Sequence, residues 1–540
     1  LPWVSRNLLV SHAVGTGDYL PPEVVRAAML VRANSLALGY SGVRPELVNT
    51  LVRMLNAGVV PAIPEYGSVG ASGDLAPLSH LGLVISKRPG NHPPLPETPE
   101  DYQEESGGAY VALTEAEIGD YAGKPFIETN GGYYVLLTGA KAMALRGIPQ
   151  LELTAKEGLA FNNGTTFSTA LATLALHDAE NLARHAELAA AMSLEALLGF
   201  RDAFLPHIQQ VRGHQGQIEV AQRILKIVGG STIMDGDEDL DPRFVPPQDA
   251  YSLRVTPQVL GAIWDALAFI RSTVTTEINA ATDNPMIFDL PEDHTLYLPR
   301  DYKAVSGGNF HGAPIAYAMD LLGILITDLG SLSERRVFRM LDKNLNHALP
   351  AFLMRDAKPG VTSGMMIPQY LAASLVSDCK TLAHPDSVDS IPTSANQEDH
   401  VSMSMNAARH ARKIVDNIGT VVSVELLCAS LALHWRLRQV EEQLADADYK
   451  PEETIPYKRD RVDEIVLCIR ATGQAPTEGQ GTRLARELIE AHLYEGKNGL
   501  PELRLRTAED RYLRPYILRV KALLAHGALV EQVYEKVGLN

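Results

Sequence analysis

Chemistry concentrates in the stretch Gly67-Ser-Val-Gly-Ala-Ser-Gly-Asp-Leu-Ala-Pro-Leu-Ser-His80. Its glycines alternate with small residues, so the backbone can enter tight turns that larger side chains forbid. In Ala71-Ser72-Gly73 such a turn could bring the Gly73 nitrogen onto the Ala71 carbonyl carbon. Cyclisation, with loss of water from the ring and from Ser72, would leave an electrophilic methylidene-imidazolone. None of the twenty side chains is a good electrophile, so attack on an electron-rich amine or ring needs a built-in group of this sort or a bound cofactor. The other reading of the stretch is a Gly-rich turn for phosphate, but it lacks the lysine and the spacing of a phosphate loop.

Further motifs follow in order: Asn163-Gly164-Thr165, Gln248-Asp-Ala-Tyr-Ser-Leu-Arg254, Asp283-Asn284-Pro285, Ser306-Gly-Gly-Asn-Phe310 and Asn396-Gln-Glu-Asp-His400. Together with residues 67–78 they resemble the methylidene-imidazolone (MIO) family of aromatic amino-acid ammonia-lyases and aminomutases, from about residue 8 into the C-terminal region. The resemblance implies a prosthetic group formed autocatalytically from Ala71, Ser72 and Gly73, with no metal. It implies that Asn163 donates to the imidazolone carbonyl, where negative charge develops, and that Tyr251 lines the group. Arg254 is expected to bind the substrate carboxylate, for which a planar fork of donors suits better than lysine. Gln248 belongs to the same substrate-binding motif, Asn309 would help to hold the carboxylate, and Phe310 would set its ring against the substrate side chain or the prosthetic group. Asn284 with Pro285 reads as a structural turn.

Substrate choice rests on two features. Ser11-His12 matches the family's side-chain selectivity position, and this polar pair resembles histidine ammonia-lyases, although some tyrosine aminomutases share it. Glu398, beside Gln397, would be desolvated without a partner in a pocket shaped for a phenyl ring, whereas an imidazole N–H can satisfy it. The expected reaction is α,β-elimination of ammonia from an aromatic L-amino acid, histidine to urocanate favoured. The alternatives are a tyrosine or phenylalanine ammonia-lyase, a 2,3-aminomutase, and a catalytically dead helical binding protein. Three departures from the family pattern stand out: a long excursion at 87–132, Phe161-Asn162 ahead of Asn163, and no N-terminal tyrosine lid motif. The last leaves the β-proton base without a named residue and suggests a functional chain longer than the one given.

The elements that must position these residues are helices. Helical periodicity dominates and alternating β-branched runs are short, so the expected class is mainly α. Residues 21–55 read as two helices broken near Gly39 to Gly42, after a turn at Gly15 to Asp18. Long helices are expected at about 166–198, 257–281, 311–341 and 400–440. Residues 421–433 are apolar around the full circumference, which implies a bundle centre or an oligomer interface. The chain of 540 residues has 48 Lys+Arg against 65 Asp+Glu, a net charge of −17, which argues against nucleic acid or an anionic membrane as partner. Its three cysteines suggest neither a disulfide framework nor a metal site. Length alone suggests about three or four domains. The motifs favour a long central helical bundle at 166–445, an N-terminal catalytic-loop region at 1–165 and a C-terminal helical layer at 446–540. With no basic and then apolar stretch at its start to suggest secretion, the cytoplasm is the default compartment, and the resemblance implies a homotetramer.

Overall fold

Proline and glycine mark the helix ends. Pro22–Ala37 and Pro45–Ala57 each begin on a proline in the first turn, where its fixed φ suits the helix and its missing N–H has no partner to lose. The second helix ends on Gly58 in the left-handed region (φ 66°). These are the two helices expected across 21–55. The structure, a computed structural model, describes residues 2–89, 106–121, 126–129, 132–234, 248–288, 304–354, 361–449, 461–494 and 510–539. The described residues are mainly helical, as expected.

The chain divides into two compact units, the first comprising Leu1–Ala175, Ile270–Leu321 and Pro385–Arg412 and the second Leu176–Phe269, Leu322–His384 and Lys413–Asn540. In the first unit, helices Pro2–His12, Leu75–Ile85 and Glu157–Asn162 pack on one another. Gly82 permits this: a Cβ there would stand 2.8 Å from Leu9 and 3.1 Å from Phe161. Three short strands, β1 (Thr16–Tyr19), β2 (Val59–Pro61) and β3 (Pro64–Tyr66), lead into the Gly-rich loop. Because β1 pairs antiparallel with β3, most of the turn expected at Gly15 to Asp18 is strand.

The excursion at 87–132 is only partly described, and what is described is a sheet. Strands β4 (Gly108–Leu113), β5 (Phe126–Thr129) and β6 (Gly132–Thr138) are antiparallel, with β6 in the middle: β5 and β6 make a hairpin and β4 pairs on the other edge of β6. The three join β2 in the order β2-β4-β6-β5, through Val59 opposite Val111, Val60 opposite Tyr110 and Pro61 opposite Ala109. Two-residue strands β7 (Met286–Ile287) and β8 (Ala304–Val305) pair separately.

Four long helices contribute residues to both units: Thr166–Ala196, Thr256–Ile278, Ala313–Leu341 and Ser404–Ala445. The last two are long and apolar enough to cross a membrane, but 56% and 89% of their most apolar windows are already buried within the protein, as in core helices. Every residue from 421 to 433 is buried inside the second unit. The all-round apolar pattern is therefore accounted for within one chain and is not itself evidence of an oligomer. Glu425 sits within this run, ion-paired to Arg336 at 2.5 Å and accepting from the hydroxyls of Ser193 (2.7 Å) and Ser333 (2.6 Å). Such satisfaction is what allows a buried charge to persist. The second unit also holds helices Arg461–Thr472, Gln480–Tyr494, Arg514–Ala525 and Ala528–Val537, the last three packed together.

Candidate active site

The Gly-rich loop is built from positions that other residues would not tolerate. Gly70 and Gly73 have φ of 70° and 76°. A Cβ on Gly73 would lie 2.2 Å from the Gly164 carbonyl carbon, and one on Gly70 would lie 2.4 Å from the hydroxyls of both Ser402 and Ser404. The backbone of 71–74 and that of 163–164 run side by side. Gly164 N–H donates to the Ser72 carbonyl at 3.2 Å, and Asp74 N–H donates to the Gly164 carbonyl at 2.8 Å. Ala71 and Gly73 are themselves bridged.

The other side of the loop is held by 401–404. Met403 N–H donates to the Val69 carbonyl (2.9 Å), and the Ser402 hydroxyl donates to that of Gly70 (2.9 Å). Val69, Ala71, Val401 and Met403 form one apolar cluster. Three helices start beside this loop. Leu75–Ile85 follows Asp74 directly, Ser404–Ala445 follows Met403, and Thr166–Ala196 has its Ser168 N–H capped by Asp74 Oδ2 at 2.8 Å. Their positive ends favour negative charge there. Asp74 is fully buried, and burial raises its pKa despite donors from Ser168, Ser68 and Phe167.

Ser72 and Glu398 meet across the loop. The Ser72 hydroxyl donates to Glu398 Oε1 at 2.5 Å, while Oε2 accepts from the hydroxyls of Thr393 (2.7 Å) and Ser394 (2.9 Å). Burial pushes the Glu398 carboxyl up, but the three hydroxyls and the nearby His12 outweigh it and hold the carboxyl below its ordinary value. His12 ends helix Pro2–His12, with Nδ1 2.8 Å from the Leu8 carbonyl and 2.9 Å from the Ser11 hydroxyl. A carbonyl only accepts, so Nδ1 carries the proton and a neutral ring keeps Nε2 as its acceptor.

Ala71, Ser72, Gly73, Asn163, Ser11, His12, Asn309, Phe310, Gln397 and Glu398 all belong to the first unit. Asn163 stands beside the tripeptide, but its Nδ2 donates to the carbonyls of Leu159 (3.2 Å) and Asn284 (3.4 Å). The donor on the Ser72 carbonyl is the backbone N–H one residue later. Phe310 is half-buried and Asn309 exposed, two residues or so before Gly312, where a Cβ would meet the Ser404 hydroxyl at 2.3 Å. Asn309 Nδ2 donates to the Ala281 carbonyl at 3.4 Å. Gln397 is exposed. Gln248, Tyr251 and Arg254 belong to the second unit and form their own group there. Arg254 Nη1 donates to Gln248 Oε1 at 2.9 Å, and Tyr251, on the short helix Tyr251–Arg254, is 68% exposed. Among the described residues no cluster of His, Cys, Asp or Glu is arranged to hold a metal.

Thr393, Ser394, Ser402, Met403 and the Gly164 amide hold Glu398 or the loop, and the sequence reading does not single them out. Only Gly164, already inside a motif, carried a signal.

A mainly helical fold with a Gly-rich loop clamped between helix starts and faced by a fixed carboxylate defines a class, and the family comparison agrees with it: residues 3–450 match the aromatic amino acid lyase family, to which the chain belongs. It is 46% identical over 433 residues to the histidine ammonia-lyase of Caldanaerobacter subterraneus subsp. tengcongensis, covering 80% of this chain and 74% of that protein. Among solved structures, histidine ammonia-lyase from Trypanosoma cruzi superposes with a TM-score of 0.71 at 32% identity, over 99% of this chain and 81% of the other. Tyrosine aminomutase from Streptomyces globisporus gives 0.73 at 30%, over 99% and 85%.

Proposed function

We propose that the protein is a histidine ammonia-lyase that converts L-histidine to urocanate and ammonia on an MIO group made from Ala71, Ser72 and Gly73. The observation that carries the substrate assignment is Glu398. Two hydroxyls fix Oε2, and the only described donor on Oε1 is the Ser72 hydroxyl. Once that hydroxyl has left as water, Oε1 is an acceptor for a ring N–H. An imidazole supplies one, whereas a phenyl ring would leave the carboxylate desolvated and unpaired.

The tripeptide fits the group. Its residues are small, Gly73 has a left-handed φ with no room for a side chain, and the carbonyl that the ring would keep, that of Ser72, already accepts from Gly164. When formed, the group supplies the electrophile that ordinary side chains lack. The chain's own residues do the rest. Gly164 N–H and the neighbouring helix starts stabilise negative charge at the Ser72 carbonyl. His12 and Glu398 orient the imidazole and Phe310 bounds the site, while Arg254, steadied by Gln248, and Tyr251 are the groups that the family resemblance implies for binding the carboxylate and lining the prosthetic group. Self-association to a homotetramer completes the reading. It is supported by large apolar side chains exposed on long helices, including Phe269, Tyr317 and Ile324.

The deciding experiment incubates the protein separately with histidine, tyrosine and phenylalanine. Conjugated acid is followed by ultraviolet absorbance and β-amino acid by chromatography. Urocanate as the dominant product is expected. Faster turnover of phenylalanine would overturn the reading of Glu398, and a β-amino acid product would favour an aminomutase.

A further inference from the structure

A fully buried arginine stands behind the Asn163–Gly164 backbone. Arg32, on helix Pro22–Ala37, is 0% exposed, and its Nη2 donates to the Ala160 carbonyl. Its Nε and Nη1 have no hydrogen-bond partner among the described residues. A Cβ at Gly164 would lie 3.1 Å from Arg32 Nη1 and 2.5 Å from the Thr282 hydroxyl, and a Cβ at Gly73 would lie 2.2 Å from the Gly164 carbonyl carbon. Arg32 and the Thr282 hydroxyl thus stand on one side of Gly164, and Gly73 presses on its carbonyl.

The carboxylates that act on Arg32 are Asp283 and Asp74. Both are engaged elsewhere. Asp283 pairs with Lys156 Nζ at 2.5 Å and accepts from Asn284 N–H at 2.6 Å, while Asp74 accepts from Ser168 and Ser68. Burying a guanidinium with idle donors is costlier than burying an apolar residue of similar size, so its presence here calls for a role beyond packing.

We propose that Arg32 is a positioning residue for closure of the Ala71-Ser72-Gly73 tripeptide. Its guanidinium holds the 160–164 backbone where Gly164 presses on Gly73 and donates to the Ser72 carbonyl, keeping Gly73 against Ala71. The proposal rests on the reading of this tripeptide as the precursor of the prosthetic group. Closure forms the bond from Gly73 nitrogen to the Ala71 carbonyl carbon. The Ala71 oxygen leaves as water with the hydrogens of the Gly73 and Ser72 nitrogens. The Ser72 hydroxyl leaves as a second water with the Ser72 α-hydrogen. No oxidant or co-reactant is required.

Intact-mass measurement of the purified full chain, made before any assay, tests this directly. Wild type should lack two waters across Ala71 to Gly73. Arg32→Met, which keeps the volume and removes charge and donors, should retain them in most molecules, with unchanged circular dichroism and elution volume. Arg32→Lys should close more completely than Arg32→Met. If Arg32→Met does not fold, Arg32→Lys carries the test by pulse-labelling, with water loss slowed at least about tenfold, the change that one well-placed hydrogen bond makes. Complete closure in Arg32→Met, closure in Arg32→Lys no better than in Arg32→Met, or wild-type kinetics in Arg32→Lys would overturn the proposal. A wild-type chain that keeps both waters sinks the prosthetic-group reading and this proposal with it. A closed wild type beside a closed Arg32→Met sinks the proposal alone.

Discussion

Glu398 joins ring recognition to the loop that bears Ser72, and the two hydroxyls on Oε2 aim it. Replacing Glu398 with glutamine should lower kcat/KM for histidine by about 10²-fold or more and affect slow phenylalanine turnover far less, as a charge-assisted hydrogen bond is lost only with the ring that makes it. Equal losses for both substrates would refute ring binding. In the active enzyme the Ser72 hydroxyl is gone, and Thr393, Ser394 and His12 are left to oppose burial at this carboxyl, which sets the acid limb in kcat/KM. Thr393→Val removes one stabilising donor, so the limb should move to higher pH, as a pH–rate profile would show. At Gly164 a methyl group meets the Thr282 hydroxyl at 2.5 Å with φ at 115°. Gly164→Ala should therefore cost about 3 kcal/mol or more in a denaturant melt. Ser72, Glu398 and Asn163 could be named from the sequence because they sit in ordered motifs, but the Asn163 amide expected on the Ser72 carbonyl donates to Leu159 and Asn284 instead. Thr393, Ser394 and Arg32 could not, because a serine, threonine or arginine takes its role from what lies opposite, and the nearest backbone partner of Arg32 is 128 residues away.

At the scale of elements, sequence reading succeeded where periodicity is local. The long helices at 166–196, 256–278, 313–341 and 404–445 repeat their apolar stripe for many turns, and their ends fall within a few residues of expectation. The sheet was missed because its anchor is remote. Gly108–Leu113 is one short strand whose partner Val59–Pro61 precedes it by about 50 residues, and no helical or alternating pattern links the two. Glycine-to-glycine contact between helices was equally hidden. A Cβ on Gly261 would stand 2.3 Å from the backbone nitrogen of Gln217, and one on Gly216 would stand 2.2 Å from the Gly261 carbonyl oxygen. Backbone cannot step aside as a flexible side chain can, so Gly261→Ala should destabilise the second unit by about 3 kcal/mol, measurable as a lower Cm. A neutral result would mean that helices Gln215–Ile227 and Thr256–Ile278 can slide apart freely.

Over the whole molecule, the C-terminal helices beyond the family match are tied to Thr166–Ala196 by a buried carboxyl. Glu195 accepts from Gly479 N–H at 2.7 Å and from the Thr482 hydroxyl, at the start of helix Gln480–Tyr494. Burial pushes its pKa up to about 7, reinforced by Glu478 and opposed by these donors. A folded pKa above the unfolded one means that the folded form binds the proton more tightly. The contribution is thus full below about pH 4.5 and is lost as pH rises through 7, on the order of 3 kcal/mol. Amide exchange in 480–494 should therefore quicken between about pH 4.5 and 7 beyond the intrinsic rate and level off above that, and Glu195→Gln should flatten the dependence. An unchanged profile in the variant would assign the effect elsewhere. The contact between Ser72 and Glu398 has a consequence of another kind. The two residues are 326 positions apart, and Ser402 of the clamp is 332 from Gly70. At about 5–20 residues per second, a ribosome needs roughly a quarter of a minute to a minute to travel between them. For that interval the nascent loop has emerged without its facing wall, so the contacts of Glu398 and of the 402–404 clamp on it can form only after the far side of the pocket has been translated.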